Sequence, residues 1–281
     1  MDMKILVAFC SPAGATRHVA EIVQVAFAQK NVEVEMVNLG KSYDRFNASQ
    51  IIKERRENTC FFIGSPVYRD MAVPPVMRFI EALPDGGGVL AVPFVTWGAA
   101  CSGVALWQMG KVLTEKRFGI AGAAKVCAEH SLMWGVEDPA GKGHPDKDDD
   151  SRIEALVSGF LTRFGSDRIS VLDLDQLDYQ PHEQADEMKE KLDKPWKNVP
   201  KHVDEEACTQ CGVCREECPA AAVSLNPYPE FSADCFDCFN CIRLCPENAI
   251  APETKMDQIE DRIRKRVRTI KERPLTQIFL P

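Results

Sequence analysis

Two stretches repeat one arrangement of thiols: Cys208-Thr209-Gln210-Cys211-Gly212-Val213-Cys214-Arg215-Glu216-Glu217-Cys218-Pro219 and, 27 residues on, Cys235-Phe236-Asp237-Cys238-Phe239-Asn240-Cys241-Ile242-Arg243-Leu244-Cys245-Pro246. Each run spaces its cysteines C-x2-C-x2-C-x3-C and then places a proline. Three cysteines two residues apart let the backbone curl around one face of an iron–sulfur cubane, amides turned toward the sulfides, while the fourth thiolate arrives from elsewhere. Disulfides would suit an even count, but eight close cysteines without a leader-like N-terminus argue against an oxidised scaffold. Zinc favours C-x2-C pairs separated by longer gaps. No ligand position is substituted in either run, so the pattern reads as two 4Fe–4S clusters.

The chain has 281 residues, enough for one large and one small domain, and its 45% hydrophobic content is ordinary for a globular protein. Met1-Asp2-Met3-Lys4 is not a basic leader, and the apolar run Ile5–Phe9 is too short to span a bilayer. The expectation is a cytoplasmic protein without a transmembrane segment, in reducing, anaerobic surroundings that spare thiolate ligands. The net charge of -8 argues against nucleic-acid binding. Charge is unevenly spread: residues 201–253 hold three basic and ten acidic side chains, residues 254–281 eight basic and four acidic. Such an acidic module can steer basic patches of a redox partner or of the chain itself. Cys10, Cys60, Cys101 and Cys127 stand in apolar or small-residue contexts and read as buried free thiols.

The first 167 residues alternate strand and helix patterns. Lys4–Phe9 is a buried-strand run, and Val19, Ile22, Val23, Ala26 and Phe27 recur at helical spacing. Between them lies a loop of small and hydroxyl residues, suited to an anion at a helix N-terminus; it is neither G-x-G-x-x-G nor a Walker A loop. Further strands are expected at Val32–Leu39, Thr59–Ile63, Val89–Val95 and Gly119–Ala128. Pro145 and the acids Asp146, Asp148, Asp149 and Asp150 suit the start of a last helix with apolar face Ile153, Leu156, Val157, Phe160, Leu161 and Phe164. This is a doubly wound parallel sheet, whose ligands sit outside the carboxyl ends of its strands. Residues 168–203, punctuated by Pro181, Pro195 and Pro200, read as a linker; 204–253 are the cluster module; 254–281 form a basic helix with Ile259, Ile263, Val267 and Ile270 on one side, and a tail. That helix is expected to pack across the acidic module or the domain junction.

Ser11-Pro12-Ala13-Gly14-Ala15-Thr16 resembles the FMN phosphate loop of flavodoxins, Ser/Thr-x-Thr-Gly-x-Thr; Ser11, Gly14 and Thr16 match, and Ala13 supplies no hydroxyl. The cysteine runs resemble those of bacterial two-cluster ferredoxins. In order, the chain is similar to the flavodoxin–ferredoxin fusions of anaerobic bacteria and archaea. The resemblance implies a five-stranded flavodoxin-like sheet of order 2-1-3-4-5 and a small α+β ferredoxin domain. It implies FMN held by Ser11, Pro12, Ala13, Gly14, Ala15 and Thr16, by Ser65, Pro66, Val67 and Tyr68, and by Thr96, Trp97, Gly98, Ala99, Ser102 and Gly103. Tyr68 and Trp97 are the stacking candidates, and His130 is the one candidate for catalysis. Crossed ligation gives one cluster Cys208, Cys211, Cys214 and Cys245, and the other Cys235, Cys238, Cys241 and Cys218.

The implied function is electron transfer. Clusters pass single electrons and flavin holds one or two, so the chain can move electrons between its clusters and FMN and relay low-potential electrons to a partner protein, with a ferredoxin-type donor or an acceptor reductase as the expected redox partner. Two alternatives stay open: an FMN-dependent reductase of a small-molecule acceptor fed by the clusters, and a non-catalytic redox sensor. A homodimer also stays open.

Overall fold

The computed structural model describes residues 3–41, 59–164, 170–196 and 198–281. In chain order its first elements are β1 (Lys4–Phe9), α1 (Ala15–Ala28), β2 (Glu33–Asn38), β3 (Thr59–Tyr68), β4 (Met71–Ala72), α2 (Pro74–Ala82), β5 (Leu90–Trp97), α3 (Ala105–Glu115), β6 (Gly119–Ile120), β7 (Ala123–Cys127) and α4 (Lys147–Phe164). There follow α5 (His182–Lys189), β8 (Lys201–Val203), α6 (Val213–Glu216), β9 (Val223–Leu225), β10 (Pro229–Phe231), α7 (Asn240–Arg243), β11 (Ile250–Pro252), α8 (Met256–Ile270) and β12 (Gln277–Phe279).

Strands β2, β1, β3, β5 and β7 pair in that order and in parallel, which is the expected 2-1-3-4-5 sheet. Alternation along β1 decides which side each residue serves. Ile5, Val7 and Phe9 join the layer under α1 and α4, while Leu6 and Ala8 face α2 and α3. Phe27, Phe62 and Phe160 meet edge to face in the first layer at centroid distances of 5.2 to 5.9 Å. Burial on both sides explains why the central strands read as continuous apolar runs. The expected strand Gly119–Ala128 is broken into β6 and β7, which both run parallel to β5. Among the described residues no helix is long and apolar enough to cross a membrane.

The second half departs from a simple tandem order. The expected boundary at 167/168 falls within 165–169, outside the described residues. The described part of the 168–203 segment is no free linker: Leu172 and Leu177 are buried in the sheet's core, and Ala185 and Met188 pack on Cys101 and Val104. Its last residues form β8, which pairs antiparallel with β11 of the cluster module. The tail also returns to the first domain, because β12 adds an antiparallel strand beyond β7. Three-residue strands paired over such separations leave no periodic signal in a sequence.

The cysteine repeat is a repeat of backbone as well. Gln210 and Asp237 both have φ 57, Gly212 and Phe239 are both left-handed, and so are Ala221 and Asn248. Helices α6 and α7 and strands β9 and β11 also match at the 27-residue offset. β9 pairs with β10, as β11 pairs with β8.

A buried polar group locks the tail. The Glu272 carboxylate accepts from Lys125 Nζ at 2.5 Å, from Ser102 N at 2.8 Å, from Gln180 Nε2 at 3.1 Å and from Ser102 Oγ. Beside it Trp97 Nε1 donates to Leu275 O at 2.9 Å, and Cys127 N donates to Thr276 Oγ1 at 3.0 Å. Burial pushes the Glu272 pKa up, but Lys125 and these donors outweigh it and hold the carboxyl below its usual value. The unfolded chain therefore binds the Glu272 proton more tightly than the folded one. Its stabilisation is present above the ordinary carboxylate range and is lost as pH falls through the depressed folded value. Glu272→Gln should cost about 3 kcal/mol at neutral pH, as expected for breaking a buried pair, and should flatten the acid limb. Denaturant unfolding from neutral to acid pH checks both.

Candidate functional site

A cavity of about 560 Å³ opens at the carboxyl ends of β1, β3, β5 and β7. Its floor is the whole loop Ser11–Thr16, with Pro66–Arg69 and Thr96–Gly98 as walls. The loop is shaped by Gly14, whose φ of 97 is costly for any side chain, and Gly14 is the N-cap of α1. No side chain caps this helix and no acid lies in its first turn, so its amide end and dipole can receive an anion. Ser11 Oγ accepts from Arg17 N at 2.9 Å, and Thr16 Oγ1 lies 2.8 Å from Thr96 Oγ1, tying the first loop to the third. Gly98 makes room for His130, because a Cβ there would stand 2.7 Å from its Cα and ring.

The opposite wall comes from the second half of the chain. Phe236, Asp237 and Phe239 of the second cysteine run line the cavity, as do Ile259, Arg262 and Ile263 of α8. Tyr68 meets Phe236 edge to face at 5.3 Å, and its hydroxyl lies 2.8 Å from Ser131 Oγ. Arg243 donates to Pro12 O at 2.8 Å, so the second run holds the first loop directly.

The eight cysteines fall into two sets. Cys208, Cys211, Cys214 and Cys245 line one small recess. Cys218 stands with the second run: burial raises the Cys238 thiol well above its usual value, and Cys218, Cys241 and Cys235 raise it further. Burial likewise pushes Cys241 up to about 12, with Lys201 opposing and Cys235 and Cys218 adding to it. Crowded buried thiols resist ionisation unless a cation compensates them, as iron bound by these residues would. Backbone amides already point at sulfur, Ala222 N to Cys218 at 3.2 Å and Ala249 N to Cys245 at 3.4 Å, again 27 residues apart.

The sequence matches the 4Fe–4S binding domain family over residues 201–224. No curated protein matches the chain. Among solved structures it is similar to a flavodoxin from the domain Archaea, at 18% identity over 58% of this chain and 100% of that one, with a TM-score of 0.45. It is similar to an NADH:FMN oxidoreductase, EmoB, at 17% identity over 60% of this chain and 95% of that one, TM-score 0.44. It is also similar to rubredoxin oxygen:oxidoreductase from the anaerobe Desulfovibrio gigas, at 16% identity over 58% of this chain, TM-score 0.44, and spans 37% of that protein's length. The chain joins a flavodoxin-like domain to a 4Fe–4S binding domain.

Within the flavodoxin-like domain, Ser11–Thr16, Pro66–Tyr68 and Thr96–Gly98 line the cavity, and four expected residues do not. Ser65 is spent on the backbone: its Oγ donates to Pro66 O at 2.8 Å and accepts from Val73 N at 3.0 Å. The chain turns away at Ala99, where φ is 56. Ser102 is buried in the Glu272 network, and Gly103 is pressed against the backbone of Asp70. Trp97 borders the cavity but is itself a core residue, 2% exposed. His130 borders it too, yet its role is local. Nδ1 accepts from Leu132 N at 3.3 Å, which leaves the proton on Nε2, and burial pushes the pKa down to about 4. It is therefore neutral near neutral pH.

The acid run at α4 caps that helix, as its sequence suggests. Asp146 Oδ1 accepts from Asp148 N and Asp149 N at 2.9 and 3.0 Å, and Asp149 lies 2.6 Å from His144 Nδ1. Cys10, Cys60, Cys101 and Cys127 are buried, and burial raises the last three to about 12, 11 and 12.

The 4Fe–4S domain's share of the cavity was legible in one feature. Phe236 and Phe239 replace Thr209 and Gly212 of the first run, so one half of the repeat is apolar where the other is polar. The lining by α8 follows from its Ile259 and Ile263 spacing. Exposure differs at one matched pair, since Cys211 is exposed and its counterpart Cys238 is only half-buried, whereas Cys214 and Cys241 are both buried. Cys218→Ala should abolish the centre built on the second run and spare that of Cys208, Cys211 and Cys214, and Cys245→Ala should do the reverse. Iron analysis with EPR of each variant checks the assignment.

Proposed function

We propose that the chain is an iron–sulfur flavoprotein that moves electrons between two 4Fe–4S clusters and FMN within one molecule. The observation that carries this reading is the shared cavity: the Ser11–Thr16 loop forms one side, and Phe236, Asp237 and Phe239 of the second cysteine run form the other. Ser11, Thr16 and the free amide end of α1 would hold the FMN phosphate, with Pro66–Tyr68 and Thr96–Gly98 beside the ring. Cys208, Cys211, Cys214 and Cys245 would hold the outer cluster; Cys235, Cys238, Cys241 and Cys218 would hold the inner one.

FMN, when bound, exchanges one or two electrons against the single-electron steps of the clusters. The residues of the chain set how that exchange is arranged. Tyr68 and Phe236 pack edge to face at the cavity wall, and Phe236 is part of the second cysteine run. Phe239, Ile259 and Ile263 close the cavity with apolar surface. His130 lines the cavity beside Gly98, with its Nδ1 held by Leu132 N. The exposed Cys211 places the outer set where a redox partner protein can reach it.

A second reading, reduction of a small-molecule acceptor at the flavin, is favoured by one feature. The exposed Arg262 lines the cavity, so that wall is open to solvent.

Anaerobic reconstitution should yield one FMN and iron and sulfide for two 4Fe–4S clusters per chain. A one-electron reductant should then bleach clusters and flavin alike. A chain that takes up no FMN, or whose flavin stays oxidised while the clusters are reduced, would contradict the proposal.

A further inference from the structure

Lys201, the first residue of β8, carries an ammonium that is almost sealed from solvent, its side chain 2% exposed. Its three N–H bonds are all assigned. Nζ donates to Asp237 Oδ1 at 2.9 Å, to Val199 O at 3.0 Å and to Cys235 Sγ at 3.4 Å. The rings of Phe231 and Phe239 lie 5.4 and 5.3 Å from it. A charge in such surroundings is weakly screened, so its field on a neighbouring sulfur is strong. The carboxylate of Asp237 stands 3.8 Å from the same sulfur and is shared with Arg69, which donates to Oδ2 at 2.9 Å.

The first run has no counterpart. At the 27-residue offset Asp237 corresponds to Gln210. Among the described residues no side-chain donor bonds a sulfur of Cys208, Cys211, Cys214 or Cys245. Hydrogen bonds to sulfur and local net charge are two of the levers that set a cluster's potential.

We infer that Lys201 raises the reduction potential of the cluster held by Cys235, Cys238, Cys241 and Cys218, and so makes the inner cluster the electron-accepting member of the pair. This rests on the cluster assignment proposed above. On reduction that cluster gains one electron from the outer cluster and becomes one charge more negative. No bond is made or broken, and the lysine keeps its proton. The ammonium stabilises the added charge, whereas the Asp237 carboxylate opposes it. The two residues must therefore act with opposite signs, which a purely structural role would not produce.

The test is a mediated redox titration of the reconstituted full chain, poised with dithionite and followed by EPR, with the inner signal identified by its loss in C218A. Lys201→Met should lower the inner midpoint by about tenfold in the electron-partition constant, about 59 mV for one electron, and leave the outer midpoint in place. Asp237→Asn should move the inner midpoint upward. An inner midpoint unmoved by Lys201→Met, equal shifts of both clusters, or a downward shift in Asp237→Asn would overturn the inference. If Lys201→Met fails to load the inner cluster, the sign of the Asp237→Asn shift decides. A wild-type chain with iron for only one cluster would defeat the proposed function itself, whereas two loaded clusters with an indifferent Lys201 defeat this inference alone.

Discussion

Asp237 sits between two cations, Lys201 from its own domain and Arg69 from the tip of β3, and its side chain is only 8% exposed. A buried carboxylate is tolerable only when paired and fully hydrogen-bonded. Here Oδ1 takes Lys201 and Oδ2 takes Arg69 and Val199 N. Because Arg69 belongs to the flavodoxin-like domain, its bond to this carboxylate ties that domain to the second cysteine run. The docking brings Phe236 into the sheet's own hydrophobic core, where its burial contributes about 1.5–3 kcal/mol. The inner cysteines and the cavity thus share one packed wall.

The tail supplies a second fastening. Helix α8 leaves the 4Fe–4S domain, passes over the cavity with Ile259 and Ile263 inward, and pairs Arg266 with the buried Asp70. It ends at Ile270; just beyond it Glu272 is locked to Lys125 and Ser102, and β12 then joins the sheet. The chain therefore holds the 4Fe–4S domain from both ends, through β8 on entry and α8 on exit. Fixed docking suits electron exchange, because the separation of two redox groups does not then depend on a diffusing linker.

Much of this was legible in the sequence because it rests on local rules. The cysteine spacing marks the two matching runs, and the small-residue β1–α1 loop marks the floor of the cavity. Apolar runs set the central strands. What was not legible depends on distant partners. Ser102 reads like a loop hydroxyl for a cofactor, and only the return of Glu272 makes it a core residue. Leu172 and Leu177 lie in a polar, proline-punctuated stretch, and they are buried only because the first domain leaves a place for them. His130 at a strand end does border the cavity, but its burial and the bond from Leu132 N depend on the loop that follows it. Lys201 fell near the end of the expected 168–203 linker; its contact with Cys235 comes with the pairing of β8 and β11.

The account stands on electron exchange inside one molecule across the wall formed by Tyr68, Phe236 and the second cysteine run. Stopped-flow reduction of the reconstituted protein, with the clusters reduced first and flavin absorbance followed over a range of protein concentrations, tests it most directly. The prediction is a flavin reduction rate independent of protein concentration. A rate that rises in proportion to concentration would mean that electrons pass between molecules, and would contradict it.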